Sequence, residues 1–273
     1  MKKLAARKIP VIALIVSVVL LAGTVAAWLS LGDYIEGMNF SILKINSTVT
    51  MYAAVDSNRN GVPDLLDTPL ASDSADPSYY TEKYNFAEKG TDYAQSEDPA
   101  AELTLKDDIT AAFPSQVFTY KFKLVNNSDT GNVLSFKYDT SAVSGDTQLL
   151  NALSVRLGSV EADGSVVFYG KKYFGKDLGG ENNKILDLMP AGEKIEINGG
   201  IAAQAGGNRR DFWVQIEMAP YEELTKQGIV LTEEDYNALQ GKSLKDLNFR
   251  IYFEVEIGIL RLQALLLKRV LRI

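Results

Sequence analysis

The chain has 273 residues, 28 of them basic and 35 acidic, for a net charge of −7, and it contains neither cysteine nor histidine. Without cysteine no disulfide can brace the fold, and without histidine no Ser–His–Asp or Cys–His nucleophile and no HExxH zinc site can be assembled. The acidic balance repels phosphate backbones and no basic groove offsets it, so nucleic acid is not an expected partner.

Residues 1–27 read as a secretory signal peptide. Lys2, Lys3, Arg7 and Lys8 form a basic start, Ile9 to Leu21 is almost wholly apolar, and the run from Ala22 to Ala27 forms a small-residue exit before Trp28. Cleavage after Ala27 and export to the cell surface are expected. The alternative is a retained anchor, because Ile9 to Leu31 just reaches the roughly 20 apolar residues that span a bilayer. Removing the four basic residues of this segment leaves 24 bases against 35 acids, a net charge of −11. A surface of that sign attracts cations.

Residues 28–45 have strand character, with apolar side chains alternating at Met38, Phe40 and Ile42. Ser47 to Val55 is β-branched and apolar and predicts a second strand. Asp56 to Asp67 then matches a twelve-residue calcium loop. Oxygen donors fall at Asp56, Asn58 and Asn60, Gly61 sits at the sharp turn, Val62 offers its carbonyl, and Asp64 and Asp67 occupy the last two ligand positions. Calcium takes six to eight oxygens in flexible geometry, which alternating donors on a tight loop supply. The bland reading is an Asx turn that needs no ion. A structural calcium ion is the expected cofactor, pinning a strand end in a fold without disulfides.

Residues 68–112 are acidic and polar and are expected to form an irregular insertion. Gln116 to Asn126 alternates Phe118, Tyr120, Phe122 and Leu124 against Thr119, Lys121 and Lys123, the pattern of a half-buried antiparallel strand. Asn126 to Asn132 predicts a turn and Val133 to Asp139 the return strand. Leu153 to Val160 and Ser165 to Phe174 pair about Asp163-Gly164, a hairpin signal. Short strands are expected at Lys184 to Met189 and Lys194 to Ile197. Asp211 to Met218 points Phe212, Val214, Ile216 and Met218 inward. Thr232 caps one clear helix, Glu233 to Gln240, stopped by Gly241. Asn248 to Ile257 is the cleanest strand, with Phe249, Ile251, Phe253, Val255 and Ile257 on one face. Many short alternating strands with one minor helix indicate an all-β sandwich over residues 46–257.

Leu260 to Ile273, within a tail of residues 258–273, is cationic and apolar. It suits an amphipathic helix packed on the sandwich or on a neighbouring copy, or else a membrane interface. The adjacent carboxylates Glu233/Glu234 and Asp107/Asp108 point apart in regular structure, so no acid–base pair is selected and no enzyme is expected.

Several segments resemble the TasA/camelysin family of exported, fibre-forming biofilm matrix proteins. Ala22-Gly23-Thr24-Val25-Ala26-Ala27-Trp28 resembles that family's signal exit, and Phe118 to Asn127 its F-x-F-x-N-N strand and turn. Leu150 to Val160, Phe212 to Met218 and Phe249 to Val255 resemble its later strands. The resemblance implies a jelly-roll-like antiparallel sandwich and a self-partnered, head-to-tail filament in which the leading segment of one copy adds as a strand to the next. The donor residues would be Trp28, Leu29, Leu31, Tyr34, Ile35, Met38, Phe40 and Ile42. Such contacts propagate into open filaments rather than closed rings. The competing reading is a monomeric, calcium-stabilised surface adhesin or binding module. Metal-dependent proteolysis, attributed to some camelysins, does not carry over to a chain without histidine.

Overall fold

The computed structural model describes residues 45–70, 82–98, 100–128, 130–161, 163–178, 185–189, 195–198 and 208–255. The signal peptide, all eight donor residues, and the tail from Leu260 therefore lie outside the described residues. In chain order the strands are β1 (Ile45–Ala54), β2 (Leu65–Leu70), β3 (Glu82–Tyr84), β4 (Phe86–Ser96), β5 (Ala100–Ala112), β6 (Val117–Asn126), β7 (Asn132–Asp139) and β8 (Ser144–Gly145). After a 3₁₀ turn at Thr147–Ala152 come β9 (Leu153–Val160), β10 (Val166–Phe168), β11 (Tyr173–Phe174), the short helix α1 (Gly175–Leu178), β12 (Ile185–Asp187) and β13 (Ile195–Ile197). The rest is β14 (Arg209–Met218), helices α2 (Tyr221–Lys226) and α3 (Glu233–Ala238), and β15 (Lys242–Val255).

The long strands form two antiparallel sheets. Sheet A runs β10-β9-β14-β6-β1-β4, with β11 also on β9; sheet B runs β12-β7-β15-β5, with β13 on β7 and β8 on β15; β2 and β3 pair separately. The chain changes sheet at β4→β5, β5→β6, β6→β7, β8→β9, β11→β12, β13→β14 and β14→β15, so the two sheets are built from interleaved segments, as in a sandwich. The all-β antiparallel sandwich expected from the alternation is thus the observed fold.

The facing sheets meet through aromatic rings. Phe122 of sheet A lies 5.2 Å from Phe136 and 5.1 Å from Phe249 of sheet B, both edge to face, and Phe212 lies 5.4 Å from Phe136. These four side chains are fully buried, each in the inward phase of its strand, and edge-to-face rings add to the area they bury. The β6–β7 turn is tied by polar groups. The Ser128 amide donates to Asn126 Oδ1 (2.9 Å), the Asn126 side-chain amide to Thr130 O (2.8 Å), and Asn132 Nδ2 to both Asn126 Oδ1 (3.2 Å) and Ser47 Oγ (3.1 Å). The helix expected after Thr232 is present: the Asp235 amide donates to Thr232 Oγ1 (3.0 Å), and Gly241 takes a left-handed φ of +74°.

Two expectations change. The irregular insertion expected at 68–112 is overturned over its described part, because residues 82–84, 86–96 and 100–112 are strands. Leu103, Leu105 and Ile109 of β5 alternate into the core while Glu102, Thr104 and Lys106 face out, so the charges mark an outer face rather than a loop. The Glu233–Ala238 helix is joined by α1 and α2. The two short strands expected within 184–189 and 194–197 are present as β12 and β13, both paired with β7.

The outer face of sheet B carries a charge network. Asp139 is fully buried and accepts from the Ser141 amide (2.8 Å) and Arg250 Nε (2.6 Å), while Arg250 Nη1 also reaches Glu102 (3.0 Å). Burial pushes the Asp139 carboxyl up, but Ser141 and the Arg250 guanidinium outweigh it and hold it below the ordinary value of 3.8. A depressed folded-state value means that the stabilisation is complete above the unfolded value and is lost as pH falls through the folded one. Asp139→Asn should therefore cost about 1.5–3 kcal/mol near neutrality. The gap to wild type should shrink as the medium is acidified, measured by denaturant midpoints; a gap that does not change with pH would contradict this origin.

Candidate metal loop, covered sheet face and open edges

Residues 55–64 fold into a loop whose own side chains organise its backbone. Asp56 Oδ2 accepts from the Gly61 amide (2.6 Å), Asn58 Oδ1 from the Asn60 amide (3.0 Å) and Asn60 Oδ1 from the Val62 amide (2.8 Å). The Asp64 carboxylate accepts from the Ser57 amide at 3.2 and 3.3 Å. The Asn58 and Asn60 bonds are Asx turns, in which a short polar side chain replaces a backbone acceptor, and the Asp56 and Asp64 bonds close the loop over longer spans. The other oxygen of Asp56, Oδ1, is buried and accepts no hydrogen bond.

That orphan oxygen, with Asn58, Asn60 and the Val62 carbonyl on the same loop, fits the first part of a calcium frame. The last part does not close. Asp67 lies in β2, exposed, and no group of three acidic side chains able to hold a metal occurs among the described residues. Asp64 spends its carboxylate on Ser57.

The loop is locked to sheet A through Gly61. Thr119 Oγ1 and Gln215 Nε2 both donate to the Gly61 carbonyl (2.7 and 2.9 Å), and the Val117 amide donates to Arg59 O (3.3 Å). Gln215 Oε1 in turn accepts from Arg156 Nε and Nη2 (3.0 and 2.6 Å), and the Arg156 guanidinium stacks 3.9 Å over Phe168. Thr119, Gln215 and Arg156 stand directly opposite one another across β6, β14 and β9, so one row of the sheet forms the chain. A second row holds Tyr52, Lys121 and Trp213. Lys121 Nζ pairs with Glu82 and stands over the rings of Phe86 (4.6 Å) and Tyr52 (4.9 Å), while Tyr84 and Phe86 meet Trp213 edge-on at 5.5 and 5.4 Å.

Alternation along Gln116–Asn126 and Asp211–Met218 assigned Thr119, Lys121, Trp213 and Gln215 to solvent. All four are buried, because the loop, β3 and the first residues of β4 lie across that face. Trp213 was the available signal: a large aromatic on the nominally polar face of a strand implies a cover.

A cavity of about 270 Å³ opens beside the loop, lined among others by Asp56, Arg59, Lys89, Asp107, Asp108 and Tyr120. Lys89 of β4 and Asp107 of β5, both in its lining, form an ion pair of 3.1 Å between the two sheets. Burial, and then Asp107, push the Tyr120 hydroxyl far above its usual range, so it remains a neutral phenol.

The sheet edges are unequal. Among the described residues β4, with 11 residues, pairs only with β1, and β5, with 13, only with β15. At the opposite edges β10 to β13 are two or three residues long. Opposite the buried Ile45, Ser47, Val49 and Met51 of β1, strand β4 sets Ser96, Ala94, Asp92 and Gly90. Directly opposed residues share a face, so β4 offers the core no large apolar side chain.

No protein-family model matches the chain, and no curated protein does. Among solved structures it is similar to a mutant Xylanase10C from Cellvibrio japonicus in complex with xylopentaose, at 8% identity over 76% of this chain and a TM-score of 0.26. It covers 27% of that chain. It is also similar to a chain of the IBDV viral particle, at 11% identity over 86% of this chain and 67% of that one, with a TM-score of 0.15. Likenesses this slight carry no chemistry across. No helix among the described residues is long and apolar enough to cross a membrane.

Gly61 has φ +83°, and a Cβ there would lie 2.5 Å from Val117 Cβ and Cγ1; Gly228 has φ +73° with open space around it. Gly228→Ala should cost about 1–2 kcal/mol for its left-handed backbone alone. Gly61→Ala should cost distinctly more and lower the melting temperature further. Equal losses in thermal melts would show that the Val117 contact is not tight.

Proposed function

We propose that this chain is an exported structural protein, a subunit of a biofilm-matrix or pilus-like filament built by donor-strand complementation. The observation that carries the reading is the pair of long edge strands, β4 and β5, each with one side unpaired among the described residues. An unpaired edge is a row of amide donors and carbonyl acceptors that an incoming strand satisfies. The small inward side chains of β4 suit a partner strand that brings large ones, and Met38, Phe40 and Ile42 alternate in the segment just ahead of β1. The charges along both edges, among them Glu88, Lys89, Asp92 and Lys106, oppose indiscriminate pairing and favour a chosen strand. Export by the signal peptide would deliver the subunit outside the cell, where the partner is a second copy.

A calcium ion at Asp56, with Asn58, Asn60 and the Val62 carbonyl, belongs to the same proposal as a structural pin; the unpartnered Asp56 Oδ1 favours it. A monomeric calcium-stabilised adhesin shares this loop and differs only in leaving the edges unused.

Purified processed protein should form filaments in negative-stain micrographs. Deleting residues 28–42, which leaves β1 intact, should yield soluble monomers that bind a peptide of that segment; filaments that persist without it would sink the donor-strand reading. Calcium at about a hundred times its dissociation constant should add about 2.7 kcal/mol, raising the melting temperature by roughly 5–10 °C. EDTA should reverse the shift and Asp56→Asn abolish it. Melts indifferent to calcium would leave the loop a plain Asx turn.

A further inference from the structure

We infer that Lys121 and Glu82 form an intramolecular amide cross-link that staples β3 to the centre of sheet A. Lys121 is the one lysine buried among the described residues, and its Nζ meets Glu82 Oε2. The two side chains are 7% and 19% exposed. The rings of Phe86 and Tyr52 flank the nitrogen, and Trp213, Tyr84 and Val166 extend the apolar wall. The partners are 39 residues apart and sit on independently held strands, β6 in the middle of sheet A and β3 in the small β2–β3 ladder. Their meeting is therefore made by the tertiary fold and not by local sequence.

Burying an ammonium–carboxylate pair keeps two desolvated charges, and their attraction seldom recovers the cost. Condensation removes both. A proton passes from the ammonium to the carboxylate, leaving an amine and a carboxylic acid. Nζ attacks Cδ; the Nζ–Cδ bond forms, the Cδ–OH bond breaks, and the hydroxyl departs with one amine hydrogen as water. Charge balances, and no oxidant, reductant or other reactant is needed. Lys121 Nζ is held against the Glu82 carboxylate, and an intramolecular pair brought into line for attack is equivalent to an effective concentration of about 10⁵–10⁸ M. The aromatic enclosure also limits the water that could reverse the reaction. In a chain without cysteine, such a bond would give an exported subunit the covalent brace that disulfides give others.

Intact-mass measurement of the folded, then denatured, wild-type protein decides the matter. The expected mass is that of the chain less one water, and protease digestion should release one branched peptide joining the Glu82 and Lys121 segments. Glu82→Ala and Lys121→Arg should each restore the full chain mass. Glu82→Gln should lose ammonia instead of water, which places the bond at that acyl carbon. Wild-type protein at its full calculated mass, with the two peptides released separately, overturns the inference without reliance on any variant.

Discussion

The interlocking of Phe122 and Phe212 with Phe136 and Phe249 is the contact on which the rest of this structure depends. It holds two sheets face to face in a chain with no disulfide. Every ring comes from the inward phase of a long strand, so each strand's register is tied to the cluster. A slip of one residue would carry these rings to the outside and bring Lys, Asp or Ser in. Emptying one such site costs about 3–5 kcal/mol, a large share of a domain's net stability.

With the inner faces spoken for, the two outer faces diverge. Sheet B leaves its face to solvent and covers it with ion pairs centred on Arg250, which joins Glu102 to the buried Asp139. Sheet A turns its central strands into doubly buried ones by laying the 55–64 loop and β3 over them. The burial of Thr119, Lys121 and Gln215 is met by partners rather than left open. Thr119 and Gln215 share the Gly61 carbonyl, Gln215 engages Arg156, and Lys121 engages Glu82. This matches the general rule that polar groups are buried only when bonded. At Gly61 the loop lies so near Val117 of the sheet that no side chain fits there.

The same layout creates an asymmetry at the edges. One side of the sandwich ends in strands of two or three residues, which offer little to a passing chain. The other ends in β4 and β5, long and, among the described residues, each paired on one side only, with a charged cavity beside the loop. The assembly proposal and the calcium proposal thus meet in one region, because the loop that would bind the ion adjoins the end of the strands that would accept a partner.

Much of the fold was legible in the sequence, since a two-residue period is a direct record of which side chains face the core. β6, β7, β14 and β15 emerged from alternation, and the Thr232 helix from its cap and its terminal glycine. β4 escaped because it buries Ala94 alone, and β5 because Asp107 and Asp108 interrupt the alternation of Leu103, Leu105 and Ile109 within an acidic stretch. The loop's turn chemistry was also readable, as Asp56, Asn58, Asn60 and Gly61 dictate it locally. Whether Asp67 could reach that loop was not readable, because it depends on where β2 runs. Nor could alternation show that Lys121 meets Glu82, or that Trp213 is covered. Local sequence determined which way each side chain points from its own strand; only the packing of distant segments decided what lies on the other side of it.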